Sequence, residues 1–213
     1  MWRADFKPVG ELTVKKIPGM VDVGWTWKLK NAMRPNYWRG WAGVELAKMF
    51  SKLTGVASMH STLRLVTIPA NGGPKVDYGI VSRRLVTEDF VNYLTDMLQA
   101  EETMIGDFKY HGFGTGTTAA AAADTNMETE VGYDARITGG QGEQSGTTGN
   151  DYESSGTYTS TGTIAITEHG LHNGDTSAGD TIIMMDRHVF AALNVVANDA
   201  VEATYVLTIN SGG

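Results

Sequence analysis

The sequence predicts a mainly β protein with some α: a C-terminal antiparallel β-sandwich preceded by an extended N-terminal arm and a small α+β region. Three observations carry this. Glycine is abundant, 26 of 213 residues, while prolines number 5 and charged residues make up 19%. That composition favours short strands and turns over a helical bundle. Between Val201 and Ile209, apolar Val201, Ala203, Tyr205, Leu207 and Ile209 alternate with Glu202, Thr204, Val206 and Thr208. This is the two-residue period of a strand with one face on a core. A helical period appears only in short stretches near 43–54 and 88–101.

Residues 1–41 form the first expected segment. All five tryptophans (Trp2, Trp25, Trp27, Trp38 and Trp41) fall here, among Pro8, Pro18, Gly19, Gly24, Pro35 and Gly40. No helical or strand period gathers the indoles on one face. The expectation is an extended basic arm whose aromatic side chains, flanked by Arg34 and Arg39, anchor on a partner. Tryptophan is a frequent hot-spot residue at interfaces, and each buries roughly 150–250 Å². The plainer alternative is that the indoles pack on the chain's own domain.

Residues 42–104 form the second segment. Leu46, Met49, Phe50 and Leu53 follow helical spacing, and Gly55 supplies a stop. Residues 61–68 read as a strand closed by Pro69 and the Asn71-Gly72-Gly73-Pro74 turn. A second strand at 76–86 makes a hairpin. Thr87 is an N-cap for a helix over 88–101. There Glu88 and Asp89 favour the positive end, and Phe90, Leu94, Met97 and Leu98 form an apolar stripe.

Residues 105–213 form the third, an acidic Gly/Thr-rich sandwich. A strand starts at Phe108-Lys109-Tyr110-His111. Gly112 to Thr118 and Ala119–Ala123 read as a loop or short helical turn, capped by Asp124-Thr125. A strand is expected over 127–136 and a long polar loop over 138–151. Further strands are expected near 152–160, 162–168, 181–190 and 201–209.

Charge divides along the same line. Residues 1–84 hold 14 Lys+Arg and 5 Asp+Glu, a net of +9; residues 85–213 hold 3 and 19, a net of −16. Together they give the chain's −7. Two such regions suit different neighbours. The basic residues are dispersed and the rest of the chain repels phosphate, so no nucleic-acid partner is expected. Cysteine is absent, which removes disulfides, thiolate zinc sites and thiol catalysis. No apolar run reaches the 18 or so residues of a membrane span, and residues 1–5 lack the apolar core of a signal peptide. No membrane association is expected.

Motifs of chemistry are weak. Gly112-x-Gly114-x-Gly116 lacks the third glycine of a dinucleotide loop, and no lysine follows in the Walker position. It reads as a tight glycine loop at a sheet edge. In Glu168-His169-Gly170-Leu171-His172 the imidazoles sit three apart. On a strand they face opposite sides, so joint ligation of a metal, with or without His188, needs a turn there. They read as loop or interface histidines. Asp124, Glu128 and Glu130 lack the Asp-x-Asp-x-Asp-Gly run of a calcium loop and read as solvated acids. No nucleophile elbow is present. The expectation is no enzyme, no catalytic residue, no metal and no cofactor.

Four stretches carry a resemblance. They are Lys109-Tyr110-His111-Gly112-Phe113-Gly114-Thr115-Gly116-Thr117-Thr118-Ala119-Ala120; Asp124-Thr125 with Glu128 and Glu130; Ile166-Thr167-Glu168-His169-Gly170-Leu171; and Asn198-Asp199 through Thr204-Tyr205-Val206-Leu207-Thr208-Ile209. Over roughly 105–210 the chain resembles β-sandwich modules of tailed-bacteriophage structural proteins. It departs from them at His169 and His172, where a small residue and an aromatic are usual. The resemblance implies a virion component. With the arm argument it implies a capsid decoration (cement) protein, a homotrimer on the major capsid protein lattice at the outer surface of the head. A tail, baseplate or fibre-attachment protein and a host-glycan adhesin are the alternatives.

Overall fold

A computed structural model describes residues 20–99, 108–132, 136–143, 150–175 and 182–210; Trp2 lies outside them. The elements in order are β1 (Met20–Asp22), α1 (Trp25–Ala32), α2 (Pro35–Thr54), β2 (Ser58–Ile68), β3 (Lys75–Leu85), α3 (Glu88–Leu98), β4 (Tyr110–Gly114) and β5 (Glu130–Val131). Then follow β6 (Ile137–Thr138), β7 (Gly140–Glu143), β8 (Asp151–Thr159), β9 (Ile164–His172), β10 (Met184–Val195) and β11 (Ala200–Asn210). The protein is mainly β with some α. One sheet runs β1-β3-β2-β11-β8-β7, the other β10-β9-β4-β5, with β6 also on β4. Among the described residues, the β1–β3 pairing alone is parallel.

The sheets pack face to face. Leu63, Leu65, Val81, Val201 and Ala203 from the first meet Phe113, Ile166, Phe190 and Leu193 from the second. Each large apolar side chain so buried contributes about 1.5–3 kcal/mol. At one end α3 sets Phe90 and Tyr93 against Phe108, Met185 and Leu207. Thr87 caps α3 as expected, its Oγ1 accepting from Phe90 N at 3.2 Å.

Three expectations are corrected. First, residues 25–32 and 35–41 are helical rather than extended, the latter opening the helix expected over 43–54. Pro35 occupies the first turn of α2, where its missing N–H costs nothing and its fixed φ suits a helix; Gly24 stands at the N-cap of α1. Gly40 is inside α2 because any side chain there would meet the Arg83 carbonyl oxygen. Gly55 ends the helix at φ 72°.

Second, the line at 104/105 does not divide the sheets. β2 pairs with β11 over its full length, from Ser58 opposite Asn210 to Ile68 opposite Ala200. The alternating apolar face of 201–209 finds its neighbour some 140 positions earlier in the chain. Third, local boundaries shift. Gly112 and Gly114 lie in β4, and among the described residues of the 127–136 stretch Glu130–Val131 is strand. The 138–151 stretch contributes β7, and 169–172 continues β9 rather than turning.

The outer edge of β10 is closed by side chains rather than by a strand. Asn31 of α1 accepts from Ala191 N at 2.9 Å and donates to Val81 O at 2.8 Å. One buried amide thus ties β10 to β3 of the opposite sheet. Trp27 Nε1 donates to Ala192 O at 2.9 Å. Thr87 Oγ1 and N donate to Met184 O and Met185 O at 2.6 and 3.1 Å. An open edge invites pairing with another chain, and these contacts occupy it at 184–185 and 191–192.

Candidate docking surface and polar interior

Helices α1 and α2 carry the largest exposed apolar side chains near the basic end of the chain. On α1, Trp25, Leu29 and Met33 follow one another at four-residue spacing and are 75%, 47% and 75% exposed. On α2, Trp38 is 62% exposed. Lys28, Lys30 and Arg39 are exposed around them. Solvated monomers rarely leave a contiguous apolar patch of more than a few hundred Å² uncovered.

The sequence-derived anchor residues separate into two groups. Trp25 and Trp38 point to solvent as an anchor would. Trp27 does not: it packs edge-on against Tyr78 at 4.7 Å between ring centroids and joins the main core. Trp41 lies under the Arg83 guanidinium, 3.8 Å from ring centroid to Cζ. These two indoles therefore serve the chain's own interior. Arg34 donates to Thr117 O at 3.3 Å, and burial lowers its pKa. Arg39 lines a half-open cleft of about 290 Å³ with Gly40, Arg84 and Ala119–Ala122.

Sequence reasoning placed the 46/49/50/53 stripe on a helix but missed its direction. Leu46, Met49, Phe50 and Leu53 are 60%, 54%, 59% and 77% exposed, while Val44 and Ser51 on the other face are buried. The signal was present: the inward positions Gly40, Val44 and Ser51 are small, and at Gly40 any side chain would meet the Arg83 carbonyl oxygen of β3.

The histidines meet in the interior. His111 Nδ1 lies 2.9 Å from His169 Nε2, and His111 Nε2 lies 2.9 Å from Ser154 Oγ. His188 Nε2 is 3.3 Å from both Ser61 Oγ and Asp186 Oδ2. Ser61 Oγ also donates to Asp186, and the Tyr205 ring packs edge-on against His188 at 5.7 Å. The reading of His169 and His172 as loop or interface groups is corrected, since both are within 1% of complete burial. Burial pushes His111 down to about 4. Burial, followed by the neighbouring His111 and His188, holds His169 well below its ordinary range. Burial and Arg136 do the same for His172. These three imidazoles, His111, His169 and His172, are thus neutral at pH 7. Among the described residues no three acidic or histidine side chains gather as a metal-ligating group. Ser61, Asp186 and His188 are each at most 1% exposed and hold one another, with Arg84 Nε 3.7 Å from Asp186.

On the opposite face of the same sheet, Arg187 gathers Glu168 with Asp124 and Glu128, of which Glu128 is exposed, as read from the sequence, and Asp124 is half-buried. Its Nε donates to Glu168 at 2.8 Å, and its NH1 and NH2 reach Asp124 at 3.1 Å and Glu128 at 3.3 Å. Glu168, fully buried, also accepts from Gly116 N, Thr129 N and Glu128 N at 3.0, 2.7 and 3.2 Å. Glu130 takes Arg136 through two bonds of 2.8 and 3.1 Å. Buried charge persists only when paired and hydrogen-bonded, and here the arginines supply the positive charge. The node also explains the glycines. A side chain at Gly112 would strike Met127 and Glu130, and one at Gly114 or Gly116 would strike Glu168.

Comparison of the chain with protein-family models, with curated proteins and with solved structures returned no match.

Proposed function

We propose that this chain is a structural component of a tailed-phage particle, a decoration protein that grips the assembled head lattice through α1 and the start of α2. The observation that carries the reading is the exposed aromatic and basic surface of Trp25, Leu29, Met33 and Trp38 with Lys28, Lys30 and Arg39. It supplies apolar area for affinity and positive charge for steering toward an acid-fringed partner. The motif resemblance over 105–210 supports the virion context. A protein that binds only the assembled lattice stabilises it by mass action, and many copies bridging neighbours add avidity. No covalent chemistry is needed.

The test is co-sedimentation of the purified protein with undecorated heads. The expected result is stoichiometric binding that Trp25→Ala with Trp38→Ala abolishes while circular dichroism stays unchanged. Undiminished binding by that variant overturns the docking surface. Recovery of the protein only with purified tails, at a few copies per particle, favours the fibre-attachment alternative. Selective retention on host glycans favours the adhesin.

A further inference from the structure

We propose that the C-terminal half of α2 is a self-association surface, and that two copies of this chain pair through it antiparallel about a twofold axis. Leu46, Met49, Phe50 and Leu53 recur at three- and four-residue spacing and all point away from the chain's own sheets. That is the seam of a helix pair, in which such side chains interdigitate with those of a facing helix. The four exposed side chains offer roughly 500 Å² per copy, so a pair buries on the order of 1,000 Å², where specific interfaces begin.

The charges beside the seam choose the occupant and its direction. Glu45 and Lys52 are seven residues apart, so they occupy the same side of the seam one heptad apart. Both are exposed. An antiparallel pairing centred between Met49 and Phe50 sets Leu46 against Leu53 of the other copy. It also sets Glu45 beside Lys52 of the other copy, and symmetry repeats that pair. A parallel arrangement, including the threefold expected from lattice geometry, brings Lys52 to the level of Lys52 and Glu45 to the level of Glu45. There the axis puts the Glu45/Lys52 flanks of the copies on different sides of the seam, so no such ion pair forms. The chain therefore complements itself in one direction only, and an isologous interface needs such self-complementarity. The overlap spans 45–54, leaving Trp25 and Trp38 outside it, so the seam and the proposed lattice-gripping surface are separate.

Sedimentation equilibrium of the full chain tests the association. The expected mass is twice the 22.9 kDa of one chain, returning to one chain in Phe50→Asp with unchanged circular dichroism. Direction is tested by single cysteines, which the chain otherwise lacks. With a 1.5 Å rise per residue, position 50 lies near its own copy across the axis. Position 53 is displaced from its copy by about 10 Å along the helices, beyond disulfide reach. Under mild oxidation Phe50→Cys is expected to cross-link and Leu53→Cys is not. A monomer at all concentrations, an oligomer unaffected by Phe50→Asp, a trimer, or efficient cross-linking through Leu53→Cys overturns the proposal. None of these outcomes depends on binding to heads.

Discussion

Lowering the pH from 7.5 to 5 is expected to weaken the fold through its interior histidines. His111 is the best-defined case: its ring bridges His169 and Ser154, and its side chain is closed over by Gly139 and Gly156. Burial takes it from 6.5 to about 4. In the unfolded chain the imidazole titrates near 6.5, so below that pH the unfolded state binds the proton first. The stability from the neutral form is fully present above about 6.5, drains as pH falls, and is gone near 4. The full loss is about 3 kcal/mol for this residue, of which about 2 kcal/mol is spent by pH 5. His169 and His172 shift in the same direction and deepen the loss. The assay is urea unfolding followed by fluorescence at pH 7.5, 6 and 5, with a constant m-value as the check on two-state behaviour. His111→Asn is expected to be less stable at pH 7.5 but to lose less on acidification. A stability that stays level between pH 7.5 and 5 would refute the reasoning, because neutral buried imidazoles cannot avoid that linkage.

Four further outcomes follow from the packing. Asn31→Ala removes the amide that serves both sheets and leaves the Ala191 N–H and the Val81 carbonyl without it. A loss of about 2–4 kcal/mol is expected in urea unfolding. Gly114→Ala drives a methyl group against the Thr129 carbonyl and Glu168 and is expected to cost about 2 kcal/mol or more. Gly43→Ala, in open space on α2, is expected to gain up to about 1 kcal/mol, which thermal melts of the two variants would separate. Arg187→Met strips the buried Glu168 of its cation, with an expected cost of about 3–5 kcal/mol, read as a lowered denaturation midpoint.

Elements specified by neighbours in sequence were legible. The β2–β3 hairpin announced itself by its Asn-Gly-Gly-Pro turn, α3 by Thr87 and its acidic first turn, and β11 by alternation. What failed depended on distant partners. Residues 25–41 read as extended because no period grouped their indoles, yet Trp27 and Asn31 are fixed by Ala192 and Ala191, more than 150 residues away. The expected strand stopped at 168, and His169 and His172 beyond it read as loop or interface groups. Alternation vanishes when both faces of a strand are covered, and β9 is buried from Ile166 to His172 under the segment that Glu168 and Arg187 hold down. The glycines at 112, 114 and 116 were visible but not their reason, which is the side chains across the sheet. The polar interior was equally hidden, since nothing local links Ser61 to Asp186 and His188.

The full-length union of β2 with β11 also sets a schedule. During synthesis the hairpin made of β2 and β3 emerges early, with Leu63 and Leu65 facing water. Its central seam stays open until the ribosome has delivered residue 210. Distant pairings of this kind slow folding, and an exposed, unmatched strand edge attracts other nascent copies in the meantime. Truncation before Ala200 is therefore expected to leave an aggregating fragment rather than a smaller soluble protein.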